Sequence, residues 1–143
     1  MRKKISIYTD GGARGNPGPA GAGIYVCDEQ GREISKTSHF LGHKTNNEAE
    51  YLALQASLEF LKNYLPKQGR EFDLIFLLDS KLVVEQMNKR WKIKEARLLD
   101  LAKQNWQALD ALPHCSWQIK YVPREENKRA DALANQAMDD ALV

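Results

Sequence analysis

Long apolar runs are missing from this 143-residue chain. No window approaches the roughly 18 uninterrupted apolar residues of a membrane span, so no membrane is expected as a partner. The basic start MRKKISIYTD is followed by neither an adequate apolar stretch nor a small-residue cleavage site, which argues against a secretory signal. Cysteine is nearly absent. Cys27 and Cys115 lack metal-type spacing, and two lone thiols in a leaderless chain read as reduced core residues of a cytoplasmic protein. Histidine is scarce as well, and His39, His43 and His114 have no ligand-set spacing, which leaves them as surface residues and argues against zinc. A strong charge of one sign is also lacking, since the net charge of +2 points to no partner by itself. No repeat, low-complexity tract or linker interrupts the chain, so residues 1–143 read as one domain able to bury one core.

What is present alternates between strands and helices. KISIYTD has period-two polarity and β-branched character, which predicts a strand ending at Asp10. Gly11 to Gly23 hold six glycines and two prolines, a tight turn region running into a second strand, AGAGIYVCD. REISKTSHFL, after the Gly31 turn, predicts a third strand, and short connections make the three an antiparallel meander. Thr45 or Asn46 caps a long helix to about Tyr64, stopped by Pro66 and Gly69. FDLIFLL reads as a central buried strand. Helical segments follow from Ser80 and from about Glu95 to Leu112, SWQIKYV makes a fifth strand, and a last helix begins near Glu125 or Glu126. The sum is an α/β domain: a five-stranded mixed sheet, three antiparallel strands and then two parallel, flanked by helices.

Four acids occupy unusual places in that frame. Asp10 and Asp79 close two strands, and open α/β sheets place their ligand crevice at carboxyl ends of strands. Read singly, Asp10 also suits an Asp-Gly turn and Asp79 a helix cap. On the wheel of the first helix, Glu50 lies within about 60° of Leu54, Leu61 and Leu65, inside the apolar stripe. Glu48 falls about 160° away, among Gln55, Glu59 and Lys62, and reads as a surface acid. Asp131 lies on the edge of the last helix's stripe, where a favourable charge near a helix N-terminus is the simpler alternative. If the four converge, like charges raise each other's pKa values, and a divalent cation resolves the repulsion. Oxygen-only ligands suit Mg²⁺ or Mn²⁺. A second feature is Lys89, Arg90, Trp91, Lys92, Ile93 and Lys94, read either as a solvated helix end with Trp91 packed inward or as a phosphate-meeting patch.

These residues, in this order, make the chain resemble the type 1 ribonuclease H family over nearly its whole length. The motifs are Y-T-D-G-G with N-P-G-P-A-G-A-G behind it, T-N-N-E-A-E-Y, L-L-D-S, and R-E-E-N-K-R-A-D. The resemblance implies the ribonuclease H-like fold and hydrolysis of the RNA strand of an RNA–DNA hybrid by two Mg²⁺ ions, giving 5′-phosphate and 3′-hydroxyl ends. The family's carboxylate quartet carries over to Asp10, Glu50, Asp79 and Asp131, with Asp10 bridging both ions. Gly12, Asn16, Asn46, Asn47 and Glu50 then face the RNA strand, whose 2′-hydroxyls distinguish it from DNA. Thr45 matches a position that holds a DNA-strand phosphate. A monomer is implied.

Three departures stand out. Many members carry a mobile histidine before the final helix; VPREEN stands here instead, and Arg124 is the nearest candidate for its role, or else a surface cation. The long basic insertion of some members is absent, which places the chain in a compact subgroup, with Lys89, Arg90 and Lys92 as partial substitutes. His43 and Lys44 stand where an Arg often assists the DNA-phosphate pocket, and Lys81 where a Gln often contacts substrate. The competing readings are a hybrid-binding module without catalysis, an ATPase of the actin type, for which 143 residues are too few, and another polynucleotidyl transferase of the same fold.

Overall fold

The computed structural model describes residues 2–142. Five strands form one sheet: β1 (Lys3–Ala13), β2 (Gly18–Asp28), β3 (Glu33–Lys44), β4 (Phe72–Leu78) and β5 (Cys115–Tyr121), in the order β3-β2-β1-β4-β5. The first three pair antiparallel as a meander, and β4 joins both β1 and β5 in parallel. The helices are α1 (Asn46–Tyr64), α2 (Lys81–Met87), α3 (Ala96–Ala111) and α4 (Lys128–Asp140). The predicted α/β architecture and sheet are borne out.

Two consecutive glycines show how the layers sit. Side chains alternate between the faces of a strand. A Cβ at Gly11 would lie 2.1 Å from the Ala49 carbonyl oxygen of α1, whereas one at Gly12 would meet only Met138 of α4. Hence α1 and α4 cover opposite faces. The α1 face holds the main core, where Leu54, Leu58 and Leu61 pack on Ile5, Ile7, Leu74 and Phe76. Sequence alternation in β4 follows from this: Phe72, Leu74, Phe76 and Leu78 are buried, while Ile75 and Leu77 are half-buried on the other face. FDLIFLL is therefore central but buried on one face only.

Some boundaries differ from the sequence reading. β1 does not end at Asp10 but runs to Ala13, still paired with β2 after its last β4 partner at Thr9. The glycine-rich region is mostly strand, and the turn shrinks to residues 14–17. Its glycines serve close packing rather than turning: a Cβ at Gly23 would fall 2.0 Å from the Ala130 carbonyl oxygen of α4. β3 continues to Lys44 rather than stopping at Leu41. The last α-helix starts at Lys128, because Arg124–Glu126 form a separate 3₁₀ turn after Pro123.

Candidate active site

The register places two acids side by side. The parallel pairing of β1 with β4 ends at Thr9 opposite Leu78. Asp10 and Asp79 are the next residues on each strand, where the two chains part and leave a crevice at their carboxyl ends. Thr45 caps α1 by accepting the Glu48 amide at 3.2 Å. That fixes the first turn, from which Glu50 points at the strand ends. The amide of Gly11 donates to Glu50 Oε1. Carboxylate oxygens of Asp10, Glu50 and Asp79 all lie within 4.8 Å of one another. Asp131, in the first turn of α4, lines the same cleft beside these three. The four acids line one cleft of about 420 Å³.

The electrostatics are those of crowded acids. Asp10 is buried, and desolvation, then the charges of Glu50 and Asp79, with Asp131 also nearby, push its carboxyl far above the usual range. Glu50, only 7% exposed, is raised chiefly by burial, which the Gly11 amide partly offsets. Arg124 lines the same cleft, and its charge favours ionised Glu50. Arg124, with Arg14 of the same cleft already paired to Asp139, does not balance four acids. The donor set is wholly carboxylate oxygen, which fits hard divalent cations such as Mg²⁺ or Mn²⁺ and suits zinc poorly.

Other sequence-derived sites divide. Gly12, Asn46 and Asn47 line the cleft with the acids. Asn16 sits beside it, its Oδ1 accepting the Asn46 amide at 2.9 Å. Thr45 is the helix cap and lies outside the cleft lining. Lys89, Arg90 and Lys92 line a different cleft with Trp91 and Trp106. Lys89 Nζ sits 4.8 Å from the centre of the Trp106 ring, and Arg90 pairs with Glu85 at 2.8 Å. Trp91 does not pack inward, being 45% exposed. The three histidines are exposed, and Cys27 and Cys115 are free thiols, the first buried and the second half-buried.

Glu48 is not a surface acid. It is buried, and its Oε1 accepts the Thr45 amide at 2.9 Å, closing a capping box. That backbone hydrogen bond holds its pKa below the usual carboxylate range. Arg97, at the start of α3, lies 3.6 Å from its other oxygen. Asn127 was missed as a site residue although the fourth motif contains it. Its side-chain amide donates to Thr9 O at 2.9 Å and to Asp79 Oδ2 at 3.0 Å, tying α4 to both strand ends. Its place one turn before Asp131 was the available signal.

A sheet of this order, with acids where its strands β1 and β4 part and on the two helices facing them, defines a ribonuclease H-like protein. Comparison with known proteins carries this further. The "Reverse transcriptase-like" family model matches residues 8–137. Ribonuclease H of Baumannia cicadellinicola is 34% identical over 155 residues, covering 97% of this chain and 93% of that protein. A bifunctional protein of Mycobacterium tuberculosis is 42% identical over 139 residues, covering 96% of this chain but 36% of its own length. This chain thus spans about a third of the mycobacterial relatives it matches. The crystal structure of LC11-RNase H1 in complex with an RNA/DNA hybrid superposes with a TM-score of 0.90 at 40% identity, covering 97% of this chain and 99% of that one. The chain belongs to the type 1 ribonuclease H family.

Proposed function

We propose that this chain is an endoribonuclease that hydrolyses the RNA strand of RNA–DNA hybrids, leaving 5′-phosphate and 3′-hydroxyl ends. The observation that carries the reading is the gathering of Asp10, Glu50 and Asp79 within 4.8 Å, in a cleft that Asp131 also lines. LC11-RNase H1, whose fold matches over nearly the whole chain, is seen with such a hybrid. All four acids come from one chain, so a monomer suffices. Among the described residues no helix is long and apolar enough to cross a membrane. Free thiols at Cys27 and Cys115 suit a cytoplasmic setting.

Asp10, Glu50, Asp79 and Asp131 would hold two Mg²⁺ ions, with Mn²⁺ as a substitute of the same donor preference. Bound in such a pair, the ions supply an activated water and stabilise charge on the departing oxygen. The protein's own residues do the rest. Gly11 orients Glu50 through its amide, and Asn127 orients Asp79. Asn46, Asn47, Asn16 and Gly12 present amides and small surface to the RNA strand, where 2′-hydroxyls both donate and accept. Thr45, with Lys89, Arg90 and Lys92, would meet phosphates further out. Arg124, with its forked guanidinium in the cleft, acts by attracting phosphate.

The test uses labelled RNA–DNA hybrid, duplex RNA and duplex DNA, with Mg²⁺, Mn²⁺ or a chelator. Cleavage confined to the RNA of the hybrid and stopped by the chelator supports the reading. Binding of hybrid without cleavage, or cutting of duplex DNA, contradicts it.

A further inference from the structure

The cleft that gathers the acids also holds a second cation. Arg14 opens the 14–17 turn, and its Nη1 lies 2.6 Å from a carboxylate oxygen of Asp139, near the C-terminal end of α4. Its Nη2 approaches Asn135 Oδ1 at 3.4 Å. Asp131, Asn135 and Asp139 follow one another at intervals of four, so they share one face of the helix. Arg14 thus grips the face that carries Asp131, one and two turns further along.

The opposite flank of the turn is tied to α1. Asn16 Oδ1 accepts the Asn46 amide, and Asn46 Oδ1 accepts the Ala13 amide at 2.8 Å. The turn therefore bridges the two walls of the cleft: the start of α1 with Asn46 and Asn47, and α4 with Asn135 and Met138. The first half of α4 is seated on the sheet at Gly23, where backbone meets backbone. Gly21 gives a second seat, against the Ala134 carbonyl oxygen, Ala137 and Met138, and only beyond it are Asp139, Asp140 and Leu142 exposed. Among the described residues, Arg14–Asp139 is the one ion pair that links α4 to another element.

We infer that Arg14 is a positioning residue: it latches the 14–17 turn to the last helix and so sets the width of the groove that receives the RNA strand. The inference rests on the hybrid-cleaving reading of this cleft. A partly exposed ion pair adds little to global stability. Its action is local, because turns and helix ends are the segments that open first. Releasing it lets the walls separate without disturbing Asp131, which lies on the seated part of α4. Grip on the hybrid weakens, and the chemical step does not.

The experiment compares Arg14→Ala, Asp139→Ala, the double variant, and the charge swap Arg14→Asp with Asp139→Arg. Each single change should raise KM for a hybrid about three- to fivefold, the range of a partly exposed ion pair, with kcat within about twofold. The double variant should be no worse than either single one, as expected when both remove one interaction. The swap should restore much of the loss. Amide hydrogen exchange at residues 14–18 and 136–142 should quicken in both single variants, whether or not hybrid is cleaved. Quickened exchange in a chain that cleaves no hybrid would uphold the latch while the proposed activity fell. An unaffected Asp139→Ala beside an impaired Arg14→Ala would overturn the latch and place Arg14 directly on a phosphate. Unchanged exchange in either single variant would overturn it too.

Discussion

The backbone amide of Gly11 donates to Glu50, and the space where a side chain at position 11 would go is filled by the Ala49 carbonyl oxygen, 2.1 Å away. Strand β1 and helix α1 therefore touch backbone to backbone at the residue beside one acid and one residue before another. Gly11→Ala cannot be absorbed by a flexible side chain, so the helix must move. We expect it to cost about 2–3 kcal/mol in urea unfolding, as overpacking does, and to lower cleavage more than stability. A variant as stable and as active as the parent would show that this contact is dispensable.

Asp10→Asn separates charge repulsion from catalysis. Asp10 and Glu50 both have pKa values raised in the folded state, mainly by burial. Above the ordinary carboxylate range, about pH 4, the folded chain then binds more protons than the unfolded one. Metal-free stability must fall as pH rises toward the raised folded values. Thermal melts in chelator should show Asp10→Asn melting about 3–6 °C above the parent at pH 8, with the gain vanishing near pH 4. Cleavage in Mg²⁺ should drop at least about 100-fold, more than loss of a ligand's supporting partner costs.

Two glutamates two residues apart should behave oppositely. Glu48 closes the capping box of α1, so Glu48→Ala should cost about 1 kcal/mol by denaturation while leaving turnover within about threefold. Glu50→Gln removes a buried charge from among others, so it should leave stability equal or higher and abolish cleavage. Equal loss of turnover in both would blur the distinction.

How much of this was legible depended on what lay nearby in sequence. The wheel placed Glu50 correctly because its neighbours Leu54 and Leu61 belong to the same helix. It misplaced Glu48, whose burial comes from Thr45 and from Arg97 on α3, and a helical projection cannot see another helix. The glycines of residues 11–23 read as turns because glycine marks both a bend and a close approach. Only the helix positions, at Ala49 and Ala130, decide for the latter at Gly11 and Gly23. The basic segment suits either a solvated helix end or a phosphate-meeting patch in sequence alone, and only the fold shows Lys89 and Arg90 engaging Trp106 and Glu85.

Arg124 yields a pH prediction. An imidazole there would titrate near neutrality, whereas a guanidinium does not. Arg124→His should add an inflection between about pH 6 and 7 to the kcat profile that the parent lacks. Identical profiles would remove Arg124 from the reaction.

Direct titration of the acids with a divalent cation reaches the core of the account. Mn²⁺ binding, followed by calorimetry in the absence of nucleic acid, should be clear in the parent and in Glu48→Gln. It should weaken at least about tenfold in Asp10→Asn and Glu50→Gln. Parent-like Mn²⁺ affinity in Glu50→Gln would contradict the assignment of these carboxylates as the metal site.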